Sequence, residues 1–201
     1  MTGLKKFVRE KIARMLTDES GCTALKQDAG YWIKKLGLKR HPEGGYYRET
    51  YRCDDIIPES ALPERYEGAR SISTAIYFLL CGTDFSAFHR IKADELWHFY
   101  YGSSLTIHII DQAGSYSEIA LGSGSEKGES FQATVKSGCW FGANLADPLS
   151  FALVGCTVAP GFDFRDFEMA DGNELSRLYP EHASIIKKLT RSVTKNKSQS
   201  L

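Results

Sequence analysis

From Tyr46 onward the hydrophobic pattern has a period of two, and it is carried by aromatic and β-branched side chains broken at short intervals by glycine. A pleated strand places successive side chains on opposite faces, so this pattern is what half-buried strands require and what helices cannot use. It predicts strands over 45–52, 72–80, 95–101, 104–110, 116–120, 131–135 and 151–158. Gly102, Ser103 and Ser104 form a tight turn, and Gln112 to Ser115 forms the next, so 95–120 reads as a meander. Many short strands closed by such turns point to a sandwich or barrel and not to a βαβ domain.

Helical periodicity is confined to the ends. Leu4, Val8, Ile12 and Leu16 recur every fourth position in a basic segment over 3–16, residues 28–36 suggest a second helix stopped by Gly37, and 174–178 and 181–189 suggest two more near the C-terminus. Pro180 suits the start of the last. The expected organisation is an N-terminal helical extension over 1–28, one domain over 29–191 and a tail over 192–201.

Composition narrows the partners. Lysine plus arginine and aspartate plus glutamate number 25 each, which gives no overall electrostatic case for nucleic acid or an anionic membrane. A small-molecule substrate or ligand is expected. The five cysteines show no CxxC spacing, no apolar run is long enough to cross a membrane, and no secretory segment opens the chain, so a cytoplasmic location is expected. Lys5, Lys6, Arg9, Lys11 and Arg14 are compatible with organellar targeting, but Glu10, Asp18 and Glu19 are not typical of an acid-poor presequence. The glycines of 122–128 lack the spacing and the lysine of a phosphate loop.

Three clusters can carry chemistry. In the first, Glu95, Trp97, Phe99 and Tyr101 share one face of a strand while Leu96, His98 and Tyr100 share the other, so His89, brought alongside by the intervening turn, partners Glu95 better than His98 does. A buried Glu95 must either find a cationic or metal partner or hold its proton to a raised pH. In the second, His41, Glu43, Gly44, Gly45, Tyr47, Arg48 and Glu49 place Tyr47 and Glu49 on one face and Tyr46 and Arg48 on the other, and the paired glycines let the backbone approach a site. In the third, Asp163 follows a strand within a phenylalanine-rich loop, where it can orient a pocket histidine. Trp97, Trp140 and Phe141 supply either core or an apolar pocket wall. His108 reads as structural and His182 as a surface residue.

The stretches HPEGGYYRETYR at 41–52, FHRIKADELWHFYYG at 88–102 and LVGCTVAPGFDFRDFE at 153–168 resemble the domain-of-unknown-function family 985, or cupin-5, of the cupin superfamily. The resemblance implies an all-β core, a double-stranded β-helix or jelly roll, with short terminal helices, paired as a homodimer. His89, Glu95 and Gly102 fit the first cupin motif, but Ile91 stands where its second histidine belongs, and Phe141 stands where the last metal-binding histidine belongs. Only His89 and Glu95 remain of the usual metal set. They imply no cofactor or, alternatively, a weakly bound divalent metal. The family is also similar to metal-free dTDP-sugar epimerases. That similarity implies proton transfer on a small sugar or keto acid, with His89 as base, Asp163 or Glu95 as its orienter and Tyr47 or Tyr101 as acid. His41, Glu43, Arg48, Glu49, Trp97, His98, Trp140 and Phe141 are then the ligand-binding candidates. The alternatives are a non-catalytic small-molecule binder and a metal-dependent enzyme.

Overall fold

The computed structural model describes residues 28–191. The expected helix over 3–16 and the tail over 192–201 lie outside the described residues. Helix α1 (Ala29–Leu36) opens on Asp28, whose carboxylate accepts from the Tyr31 N–H at 2.8 Å, and it closes on Gly37 in the left-handed region (φ 63°).

The strands follow as β1 (Lys39–Arg40), β2 (Tyr46–Arg52), β3 (Ile56–Ile57), β4 (Arg70–Ser71), β5 (Thr74–Cys81), β6 (Phe85–Arg90) and β7 (Asp94–Gly102). Next come β8 (Leu105–Ile110), β9 (Tyr116–Leu121), β10 (Gln132–Val135), β11 (Trp140–Leu145), β12 (Phe151–Ala159) and β13 (Glu168–Met169). Helices α2 (Gly172–Leu178) and α3 (Ala183–Lys188) close the described chain. Among the described residues no helix is long and apolar enough to cross a membrane.

A six-stranded antiparallel sheet, ordered β1-β2-β5-β12-β7-β10, faces a five-stranded one, ordered β13-β6-β11-β8-β9. This is the jelly roll expected from the sequence, with the main core between the sheets. Strand β5 shows how alternation builds it. Ile76, Phe78 and Leu80 face the interior, whereas Tyr77, Leu79 and Cys81 face outward, where Leu79 packs under Trp32, Ile33 and Leu36 of α1. On the far side Phe88, Ile110 and Trp140 of the five-stranded sheet are covered by Leu175, Ile186 and Leu189 of the C-terminal segment.

Two strands central to the site, β6 and β11, are absent from the sequence-based assignment. Both are short and interrupted, by Ser86 and His89 in one and by Gly142 and Asn144 in the other. Their pairing explains why alternation fails. Phe141 pairs with His89 and Ala143 with Ser86, so β6 carries one extra residue between the two contacts. This bulge turns Ser86 and His89, three positions apart, to the same inward face. Gly142 makes room for it, since a Cβ at that position would lie 2.8 Å from the Ser86 carbonyl oxygen.

A second bulge, where β7 meets β12, overturns another expectation. Leu153 pairs with Tyr101 but Val154 pairs with Phe99, which leaves Tyr100 as the extra residue. Tyr101 therefore leaves the face of Glu95 and Trp97 and packs outside, against Trp32 at 5.5 Å and Phe151 at 6.0 Å between ring centroids.

The loop after β12 is fixed by a buried ion pair. Arg70 Nε and Nη2 donate to the two carboxylate oxygens of Asp166, both at 2.7 Å, and Arg70 Nη1 donates to the carbonyls of Glu67, Gly68 and Ala69. Asp166 sits between Phe164 and Phe167, so this pair anchors an aromatic wall. Because the guanidinium holds both carboxylate oxygens in a two-pronged contact, the pair defines a geometry even where its net stabilisation is small.

The bulge in β6 can be tested directly. Gly142→Ala is expected to destabilise the fold by about 1–3 kcal/mol, the usual cost of overpacking, in urea unfolding followed by tryptophan fluorescence. An unchanged midpoint would show that β6 has room to move away from β11.

Candidate active site

The turn between β1 and β2 places the most consequential side chain. Gly44 (φ 120°) and Gly45 (φ 68°) let this turn lie directly against β6, and a Cβ on Gly44 would come within 2.1 Å of the Phe85 carbonyl oxygen. The Ala87 N–H donates to the Glu43 carbonyl at 2.9 Å, and the Gly45 N–H donates to Asp84 Oδ2 at 3.0 Å. The carboxyl group of Glu43 is thereby buried between the sheets, with the residue 6% exposed.

Three side chains converge on it. Ser86 Oγ donates to Glu43 Oε1 at 2.8 Å, while Glu43 Oε2 lies 3.2 Å from His89 Nε2 and 3.4 Å from His41 Nδ1. The hydrogen-bond roles follow from chemistry. His89 Nδ1 lies 2.8 Å from the Ala87 carbonyl oxygen, which can only accept, so Nδ1 carries a hydrogen. His41 Nδ1 accepts the Glu43 N–H at 3.4 Å. In the neutral ring, His89 Nε2 is thus a bare lone pair facing an oxygen of Glu43. One proton must lie between them, on the acid or on the imidazole.

Burial decides which arrangement is favoured. It lowers the proton affinity of His89, opposed by the charge of Glu95 and the bond to Ala87, and it lowers that of His41, opposed by Glu43. Burial also raises Glu43 above the ordinary carboxyl range, opposed by His41, the Ser86 hydroxyl and Arg191. Glu95, 8% exposed, is pushed up to about 7, first by burial and then by Glu43, against the pull of His89. These shifts all favour neutral groups. Beside Glu95, the Cys156 thiol is pushed well up by burial and by the carboxylate, so it stays protonated.

This cluster forms the floor of a cavity of about 560 Å³. Tyr47, Phe78, Phe162, Phe164 and Phe167 contribute its aromatic wall, with Ile76 and Val158 beside them. Tyr47 meets His41 edge-on at 4.5 Å between ring centroids. Lys39, Glu49, Arg52 and Asp163 also line the cavity, and Arg52 binds both oxygens of Glu49, at 3.0 and 2.7 Å, together with the Phe162 carbonyl.

Of the residues singled out from sequence, His41, Glu43, Tyr47, Glu49, His89 and Glu95 meet in this cavity. The others fall elsewhere or do something different. Asp163 borders the cavity, but Arg165 binds its carboxylate at 2.7 and 3.0 Å and holds it well below the usual range, so it does not orient His89. Glu43 and the Ala87 carbonyl do. Arg48 reaches the cavity edge, yet its guanidinium lies over Tyr77, 5.8 Å from the ring centroid, and Tyr77 faces outward. His98 pairs with Thr157 and Gln132 on the outer face, at 3.1 Å each. Trp97 and Phe141 are core residues, and Trp140 lies in the cluster under the C-terminal segment, below Arg90.

Ser86, Lys39, Arg52 and Cys156 were missed. Alternation within β12 places Cys156 in phase with Val154 and Val158 and was readable. The role of Ser86 depends on the bulge and was not.

The donor set does not suit the metal centre implied by the cupin motif. The Nδ1 atom of His89 is held by the Ala87 carbonyl, and Ile91 and Phe141, at the positions of two motif histidines, are buried in the core. Among the described residues no group of three or more His, Cys, Asp or Glu side chains is placed to hold a metal ion.

Comparison with known proteins places this geometry in a lineage. A protein from Shewanella oneidensis, solved by X-ray crystallography, is 41% identical, with 82% of this chain and 98% of that chain covered and a TM-score of 0.73. A hypothetical protein from Leishmania major is 36% identical, with 81% and 98% covered and a TM-score of 0.72. Oxalate decarboxylase from Bacillus subtilis is far more distant, at 16% identity and a TM-score of 0.46 over 75% of this chain and 36% of that one. No curated protein matches the chain. The model of the Cupin_5 family, described as Cupin superfamily (DUF985), matches residues 30–170, and the chain belongs to that family.

Proposed function

We propose that the cavity catalyses proton transfer at a carbon next to a carbonyl, as an isomerase or epimerase of a small keto acid or sugar. The observation that carries this reading is the convergence of His89 Nε2, at 3.2 Å, and His41 Nδ1, at 3.4 Å, on Glu43 Oε2 on the floor of a cavity that also holds the carboxyl of Glu95. When Glu43 holds a proton turned away from His89, His89 Nε2 offers a lone pair. His89 then takes the proton from the substrate carbon. The C–H electron pair becomes a C=C bond, and the carbonyl π pair moves to oxygen, which takes the proton of Glu95. Return of the His89 proton to a neighbouring carbon, as Glu95 recovers its own, completes an isomerisation; epimerisation takes a proton from a donor on the opposite face, which is replenished from solvent as His89 releases the proton it took. Nothing is oxidised or reduced, and no charge is left unpaired in a medium that penalises it. A Glu95 carboxyl held at about 7 is matched to this task, because it is available in both forms near neutral pH. Tyr47, on the wall, is the candidate donor from the opposite side.

The test is solvent exchange. Small keto acids and sugars incubated with the protein in D2O are expected to incorporate deuterium beside the carbonyl, seen by proton NMR, on the order of a hundredfold or more above the uncatalysed rate. His89→Asn and Glu43→Gln are each expected to remove most of that excess. Ligands that bind without exchanging, or exchange that survives both substitutions, would sink the reading; the first result would favour a non-catalytic binding cupin.

The environment of Glu95 also predicts a pH dependence of stability. Its carboxyl lies above the ordinary value of 4.5, so the folded chain binds this proton more tightly than the unfolded chain does. The resulting stabilisation is complete below about pH 4.5 and is lost as pH rises through about 7. Between pH 5 and 8.5, wild type is expected to lose on the order of 2–3 kcal/mol more stability than Glu95→Gln, measured by urea unfolding at both pH values. Parallel losses in the two proteins would show that Glu95 is solvated.

A further inference from the structure

From the charge and wall chemistry of the cavity we infer that its substrate is a monocarboxylate carrying an apolar, best an aromatic, side group, so that within the proton-transfer reading the class is the 2-keto acid with an aryl or bulky alkyl tail rather than the sugar. The inference rests on that reading for the reaction but on separate residues for the class. Three basic side chains border the cavity, and two are already committed. Arg52 is held by both oxygens of Glu49 and by the Phe162 carbonyl, and the guanidinium of Arg48 lies over Tyr77 on the outer face. Lys39 is different. Its Nζ lies over the Tyr47 ring, 5.1 Å from the centroid, and no carboxylate pairs with it among the described residues. The acids that could neutralise it are engaged elsewhere, Glu49 with Arg52 and Asp163 with Arg165.

Lys39 is exposed, and an ammonium without a partner at the rim of a partly apolar cavity attracts one anionic group. A single lysine suits a carboxylate. A phosphoryl group, with up to about two charges spread over three acceptor oxygens, calls for more donors than this wall provides.

The wall argues the rest. Beyond Lys39 the cavity surface toward the loop after β12 is built from Phe162, Phe164 and Phe167, and Phe164 keeps 53% of its surface exposed. An exposed phenylalanine beside two half-buried ones is a ready face for a flat apolar group, worth about 1 kcal/mol beyond area burial when rings pack edge to face or offset. Sugar hydroxyls would find few partners on it. At about 560 Å³ the cavity admits a nine-carbon aryl acid with room to spare. An acid held by Lys39 at one end and by the phenylalanines at the other presents its middle carbons to the floor, where His89 and Glu95 lie.

The charge and the ring can be tested separately by titrating the full chain, by NMR or calorimetry, with 3-phenylpropanoate, 3-phenylpropanamide and propanoate. The expected order is 3-phenylpropanoate tightest and each of the others weaker by on the order of tenfold. Lys39→Met, which keeps the apolar stem over Tyr47, should weaken 3-phenylpropanoate to the level of the amide and leave the amide unchanged. Phe164→Ala, at a half-exposed position, should weaken both ring-bearing probes by a common factor and spare propanoate, with an unchanged urea midpoint showing that the fold is intact. Equal binding of acid and amide, or equal effects of Lys39→Met on both, overturns the inference. Phenylpyruvate in D2O separates it from the reading it builds on. Lys39-dependent binding of the probes without deuterium uptake into phenylpyruvate sustains the ligand class and sinks the proton transfer, whereas exchange restricted to sugars does the reverse.

Discussion

Glu43 is the residue on which the site depends. It projects from a two-glycine turn, and that turn is fastened to the edge of the five-stranded sheet by the Ala87–Glu43 and Gly45–Asp84 hydrogen bonds. Its side chain then spans from the turn to Ser86 and His89 on β6. A buried carboxyl with no partner would cost several kilocalories per mole, and here it has three. Each of those partners comes from a different constraint: His41 from the same turn, Ser86 from one side of the β6 bulge and His89 from the other. Arg191, at the end of the described chain, adds a clamp through Asp84 and the Phe85 and Glu43 carbonyls. The acid therefore sits where three separately placed pieces of backbone agree: the turn, the β6 segment and the end of the described chain.

This placement has an electrostatic consequence that local pairing does not convey. Glu43 and Glu95 both face His89, and two carboxylates near one imidazole cannot both be charged in a water-poor interior. The arrangement resolves this by holding protons. Such a floor is close to neutral, so the charge at the cavity is that of its wall, where Lys39 has no carboxylate partner among the described residues. In the proposed reading the floor handles protons and the wall selects by charge and shape.

The legibility of the sequence followed the regularity of the backbone. Strands rich in apolar and β-branched residues that carry no extra residue, such as β5, β8 and β12, are visible from residue pattern alone, and so is the helix that ends at Gly37. The bulged strands β2 and β7 are visible too, but not which of their residues is extra, and the short, interrupted β6 and β11 are not visible. Pattern reading puts Tyr101 on the face of Glu95, because nothing in the residues 94–102 announces that Tyr100 is the extra one. For the same reason β6 is invisible although it carries His89. The candidates His41, Glu43, Tyr47, Glu49, His89 and Glu95 were legible because polar residues in apolar strands or paired-glycine turns need a physical explanation. Asp163 was misread because its nearest cation, Arg165, is two residues away, and a local ion pair was stronger than the long-range partnership with histidine that the loop suggested.

The substitutions at Ile91 and Phe141 give the site its character. In the cupin motif both positions carry histidines, whose lone pairs with His89 and the glutamate surround a cation. Here both side chains are core residues, and Phe141 packs on the ring of His89 at 4.1 Å between centroids. Two effects follow from apolar groups at these positions. They remove polar partners from around His89 and Glu95, which deepens the desolvation of both, and they fix the imidazole plane by packing instead of by a metal bond. Glu43 gives His89 Nε2 a partner, and it is one that can hold or release a proton. Two hydrophobic side chains and one acid supplied by a turn outside the barrel strands thus set the environment of the imidazole.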